Sequence, residues 1–119
     1  MEDLKVIIAG SRTVRDKNVV WDALNNTKFT ITTLFSGGAQ GVDLLGEEWA
    51  KSKGIPVVCY KPHYSIDNPR HAPLLRNIDM AHDSDALIAV WDGKSRGTVH
   101  MIGCMKELDK PIEVVVLDG

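Results

Sequence analysis

The chain is poor in several things, and each scarcity narrows what it can be. Among its 119 residues there are two cysteines, Cys59 and Cys104, far apart and without a C-x-x-C spacing. That excludes a disulfide scaffold and predicts two packed, reduced thiols in a cytosolic compartment. No apolar run approaches the ~20 residues of a membrane span, and Met1-Glu2-Asp3-Leu4 puts no basic region ahead of a signal-type core. The expectation is a cytoplasmic protein with no membrane partner. Positive charge is not in excess either: a formal net charge of −2 leaves no footprint for non-specific nucleic-acid binding, so a nucleic-acid partner is disfavoured. His63, His71, His82 and His100 show no H-E-x-x-H or clustered Cys/His pattern, so neither a metal nor a cofactor is expected.

What is present is ordinary for a globular chain, 44% apolar and 25% charged, at a length that suits one domain over residues 1–119. The apolar runs alternate with helical patterns. Leu4 to Ala9 reads as a buried strand stopping at Gly10-Ser11-Arg12, and Asp16 can cap a helix to about Asn26 through Val19, Val20, Ala23 and Leu24. Ile31 to Phe35 is a second strand. From Val42 to about Lys53 the positions Val42, Leu45, Trp49 and Ala50 form one helix face, ended by Gly54. An interior glycine, Gly46, weakens that helix by up to ~1 kcal/mol relative to alanine, which predicts close contact between helix and sheet.

Ile55 to Tyr60 reads as strand three, and the polar, proline-punctuated segment from Lys61 to Arg70 as a loop able to serve as a lid or ligand wall. Pro73 suits the first turn of a helix from about Ala72 to His82, with Leu74, Leu75, Ile78 and Ala81 inward and Arg76 and Asn77 free to face a cleft. Asp85 to Trp91 is strand four. A helix to about Leu108 follows, packed through Met101, Ile102, Met105 and Leu108, and Ile112 to Leu117 is strand five. This alternation predicts an α/β, Rossmann-like fold, a five-stranded parallel sheet with helices on both faces.

Two glycine-bearing turns carry the chemistry. Ser36-Gly37-Gly38-Ala39-Gln40-Gly41-Val42-Asp43 places three glycines within five positions ahead of a helix start, an arrangement suited to bringing phosphate oxygens against bare amides. It lacks the spaced glycine of G-x-G-x-x-G and the Gly-Lys-Ser/Thr ending of a P-loop. The second turn, Asp92-Gly93-Lys94-Ser95-Arg96-Gly97-Thr98, is no P-loop either, because that motif would need glycine where Ile88 stands. In a parallel α/β sheet all strand C-terminal ends share one edge. Both turns must therefore meet there with Gly10, Ser11, Arg12, Arg76 and Asn77 as a ligand-binding cleft of amides and guanidinium groups. Asp43 is read either as a dipole partner or as an acceptor for ribose hydroxyls.

The segments Gly10-Ser11-Arg12, Ser36 to Asp43, Arg76-Asn77-x-x-Met80, Asp85-Ala86 and Trp91 to Thr98 together resemble the YspA-type branch of the SLOG superfamily, which also includes DprA and the LOG phosphoribohydrolases. The resemblance runs over nearly the whole chain. It implies a Rossmann-like sheet, a nucleotide or nucleotide-derived ligand such as an ADP-ribose compound, and a signalling or conflict-related role in bacteria or phages. In LOG-type hydrolases the second turn reads P-G-G-x-G-T-x-x-E, and its glutamate acts with a helix arginine on the N-glycosidic bond. Arg76 matches the arginine, whereas Met101 stands where the glutamate would be, and a thioether can neither activate water nor stabilise an oxocarbenium ion.

The expected function is accordingly binding of a phosphorylated nucleoside for sensing, sequestering or processing. One alternative is an N-glycosidase in which His100 or Asp43 replaces the glutamate, with Arg76 as its partner. Another is DprA-like contact with single-stranded nucleic acid. An exposed member of the set Trp21, Trp49 and Trp91 would anchor a partner such as a second copy of the chain, with Trp49 expected in the core.

Overall fold

Strand β1, Leu4–Gly10, lies at the centre of the sheet, and Val6, Ile7 and Ile8 within it are completely buried. A strand covered on both faces needs consecutive apolar side chains, and this β-branched run supplies them. The computed structural model describes residues 4–61 and 71–117. After β1 come α1 (Lys17–Asn25), β2 (Ile31–Ser36), α2 (Val42–Lys53), β3 (Val57–Cys59), α3 (Ala72–Asp83), β4 (Ala86–Trp91), α4 (Arg96–Glu107) and β5 (Ile112–Val116). The five strands are parallel in the order β3-β2-β1-β4-β5. The chain winds outward from β1 to β3, then crosses back to lay β4 on the other side of β1.

Helices cover both faces. On one, α1 and α2 pack Val20, Leu24, Val42, Trp49 and Ala50 against Val6, Ile8, Ile88 and Val90. On the other, Met80 and Ala81 of α3 and Met101 and Met105 of α4 pack against Ile7, Phe35, Leu87 and Ala89. Gly46 explains how closely α2 lies on the sheet, since a Cβ there would stand 2.8 Å from Ile8 Cγ2. Asp16 caps α1 by accepting the Asn18 N–H, and Gly54 closes α2 in the left-handed region, as their types predict.

The structure corrects α3. Its buried positions are Ala72, Asn77, Met80 and Ala81, while Leu74, Leu75 and Ile78 are exposed. Counting apolar residues alone rotates the helix by about one position. Its true inward stripe includes the polar Asn77, because hydrogen-bond partners for that side chain wait at the sheet edge. Strand β3 is also shorter than its apolar run suggests, as Pro56 precedes it and offers only its carbonyl, which accepts the Leu34 N–H. At the far end of α3, Lys110 Nζ donates to the carbonyls of Ala81, His82 and Ser84 at 2.7, 3.0 and 2.6 Å, closing that helix terminus.

Each indole donates within the chain: Trp21 to Leu45 O, Trp49 to Asn25 Oδ1 and Trp91 to Ser95 O. Trp49 is buried, and the other two are half-buried. No helix among the described residues is long and apolar enough to cross a membrane. The segment read as a lid, with His63, lies outside the described residues apart from its first residue, Lys61.

Candidate functional site

The chain reverses its winding between β1 and β4, and the loops leaving those strands diverge around a crevice, the usual position of a ligand in an open α/β sheet. A cavity of about 260 Å³ opens there. Gly10 and Arg12 reach it from β1, Ala39 and Asp43 from the first glycine turn, Arg76 and Asn77 from α3, and Ser95, Arg96, Gly97 and Thr98 from the second turn. Sequence patterning missed three further walls, Ala9, Met80 and Met101. Met80 had a usable signal, lying one helical turn after Arg76 on the same face.

The two glycine turns behave differently. The first is satisfied from within, with the Gly38 N–H donating to Ser36 Oγ at 3.1 Å and the Ala39 N–H to Asp43 Oδ2 at 3.2 Å. Ser36 Oγ in turn donates to Glu47 Oε2 at 2.7 Å. At the start of α2, the Val42 N–H points to Ser11 O at 3.4 Å. Gly37 and Gly41 are needed for close approach. A Cβ on Gly37 would strike the Arg76 guanidinium, and Gly41, at φ +79°, sits where a Cβ would lie 2.5 Å from Ser11 O. Within the first turn the Gly38 and Ala39 amides are thus engaged by its own side chains.

The second turn is open where it matters. Asp92 Oδ1 accepts the N–H groups of Lys94 and Ser95 at 2.8 and 3.0 Å, and these bonds hold its carboxyl below the usual range. Ser95, the N-cap of α4, makes no side-chain cap. The first-turn amides of Arg96, Gly97 and Thr98 have no carbonyl four residues back within the helix, and all three residues line the cavity at the positive end of the α4 dipole.

Arg76 and Asn77 tie the turns together. Arg76 Nη1 donates to Gly37 O at 2.8 Å and Tyr60 O at 3.3 Å, and its Nε donates to Asn77 Oδ1 at 3.0 Å. Asn77 Nδ2 then reaches Gly97 O at 3.4 Å and His100 Nδ1 at 3.2 Å. With Oδ1 committed to arginine, the amide can only donate to the imidazole, so His100 Nδ1 is the acceptor and Nε2 carries the proton. Burial lowers the pKa of His100, and its ring lies 3.7 Å from Cys104 Sγ rather than in the cavity wall.

Asp43 is 6% exposed, and burial pushes its carboxyl up to about 7 against the opposing pull of the Ala39 N–H and Arg76. Several expected site residues support the cavity without lining it. Ser11, Ser36 and Val42 are buried, Gly41 packs on the β1 loop, and Asp92 and Gly93 shape the second turn. Gly37 and Gly38 line an adjoining hollow of about 400 Å³ with Gln40 and Pro73, which shares Arg12, Ala39 and Arg76 with the first.

Residues 4–65 match the family described as YspA, cpYpsA-related SLOG. The Gene 61 protein of Mycobacterium phage D29 is 32% identical over 115 residues, covering 89% of each chain. Among solved structures, DNA processing protein A (DprA) from Streptococcus pneumoniae superposes with a TM-score of 0.72 at 15% identity, over 96% of this chain and 50% of that one. At that identity the likeness is one of fold, and the present chain spans half the length of that structure.

Proposed function

Because the chain belongs to the YspA, cpYpsA-related SLOG family, we propose that it binds a nucleotide or nucleotide-derived ligand at the C-terminal edge of its sheet, for sensing, sequestering or processing. One observation carries this reading: the uncapped start of α4 opens into a cavity shared with Arg12, Arg76 and Arg96, where the strand order reverses between β1 and β4. Phosphoryl oxygens match that mixture of amide and guanidinium donors. The adjoining hollow beyond Arg12 and Arg76 has room for the nucleoside portion. Calorimetry against mononucleotides, dinucleotides and ADP-ribose derivatives tests it. Binding that weakens at least about tenfold in Arg12→Ala and Arg96→Ala supports the reading, and silence across the panel overturns it.

A second reading, N-glycosidase action on the bound nucleotide, is favoured by Asp43 alone. A carboxyl titrating near neutrality inside a polar cavity is suited to general acid or base work. His100 is the weaker candidate, since it is held by Asn77 and does not line the cavity. Release of free base by the purified protein, lost in Asp43→Ala, is the expected result; an intact nucleotide after prolonged incubation removes this reading and leaves binding in place.

A further inference from the structure

The cavity wall carries a buried carboxyl group of its own. Asp43 is sealed against the inner side of the first glycine turn, yet it belongs to the wall of a space of about 260 Å³, which as a sphere is only about 8 Å across. Any anion drawn to the start of α4 therefore shares a confined, poorly screened space with this carboxyl. Among the described residues, the charged and titratable groups around it are Arg76 from α3, Glu47 one turn along α2, Arg12 and Arg96 in the cavity wall, and the Cys59 thiol at the end of β3, which burial keeps protonated. Glu47 is turned to Ser36 and adds to the negative side. Arg76 Nη1 and Nε are already engaged, the first with Gly37 O and Tyr60 O and the second with Asn77 Oδ1, so its charge is shared with fixed acceptors.

Given the nucleotide-binding reading, on which this rests, we propose that Asp43 is a specificity-determining residue that sets the charge of the phosphoryl group the cavity accepts. Phosphates esterified on both sides, with one negative charge each, are admitted ahead of a terminal phosphate that carries two. When ionised, the carboxylate repels the second charge. When protonated, the same group can donate a hydrogen bond to a phosphoryl oxygen, so an anion entering the cavity favours the protonated form. Burial has already brought Asp43 close to the point where a ligand can tip it.

ADP and ADP-ribose separate the cases, since they share adenosine and two phosphates but only ADP ends in a phosphate, whose second ionisation lies near ~6. At a fixed pH of about 8, the wild-type protein should prefer ADP-ribose, and Asp43→Asn should narrow that preference by about tenfold, chiefly by gaining affinity for ADP. ADP-ribose itself does not titrate near neutrality. Its binding to wild-type protein should weaken about tenfold between roughly pH 6 and pH 8.5, with proton uptake measurable by calorimetry in buffers of different ionisation enthalpy. That series needs no variant to fold. A flat pH series, or a preference unchanged in folded Asp43→Asn, overturns the assignment of Asp43 while leaving nucleotide binding intact. Failure of both compounds to bind at any pH overturns the two readings together.

Discussion

Arg76 lies against the bare α-carbon of Gly37 and donates to its carbonyl oxygen at 2.8 Å, so the helix that walls the cavity is bonded directly to the first glycine turn. Arg76→Ala leaves the carbonyls of Gly37 and Tyr60 and the Asn77 amide oxygen without this donor, and should destabilise the protein by about 1–3 kcal/mol. Arg76→Lys should recover little, because an ammonium cannot reproduce the planar fork. Urea denaturation of the three proteins measures both effects.

Asp43 makes stability depend on pH in the opposite direction to a salt-bridged acid. Its pKa is raised from 3.8 to about 7, so the native state holds this proton over an interval where the unfolded chain has released it. With more protons bound in the native state, stability falls as pH rises through that window and levels off above about 7; the full span is about 4 kcal/mol. Asp43→Asn should flatten this component and exceed the wild type in stability near pH 8. Denaturation midpoints from pH 4 to 8.5 give the slope, and a wild-type profile that instead rises across the window contradicts the account.

Gly46→Ala should be destabilising even though alanine is the better helix former. The added methyl would stand 2.8 and 2.9 Å from Ile8 Cγ2 and Cγ1 in the middle of the core, and overpacking of this kind costs about 1–3 kcal/mol. In an Ile8→Ala background the same change should be neutral or favourable. A double-mutant cycle by thermal or chemical denaturation reads the coupling directly.

Lys110→Met keeps most of the aliphatic stem and removes the ammonium that serves three carbonyls at the end of α3. The expected loss is about 1–3 kcal/mol, or roughly 4–12 °C in melting temperature for a domain of this size. Ligand binding should be little changed at temperatures where the variant is folded, because Lys110 is part of neither the cavity wall nor the adjoining hollow.

Most of the architecture was legible because its signals are local. Asp16 and Gly54 marked helix ends, and unbroken apolar runs such as Leu87 to Val90 marked buried strands. The shared edge followed from the handedness of parallel crossovers, which is why Arg12, Asp43, Arg76 and Thr98 could be gathered from four separate segments. What sequence could not supply was which amides were already spoken for. Ser36 and Asp43 close the first turn through contacts two and four residues away, and whether such side chains fold inward or leave room for a ligand is decided by packing. The same limit misled the reading of α3. Apolar periodicity ranked Leu74 and Ile78 as inward, but the hydrogen bonds available to Asn77 from Arg76, Gly97 and His100 decided the rotation.

The central strand must wait for one of its partners. Val6 and Ile7 pair with Ala86 and Leu87, eighty residues further along the chain, and the Asp85 carboxylate takes the Lys5 N–H at the same seam. Until β4 is available, one edge of β1 offers unpaired backbone beside some of the most apolar side chains in the protein. Fragments ending before about residue 90 should therefore aggregate rather than fold, and refolding of the full chain should be limited by the closing of this long-range seam.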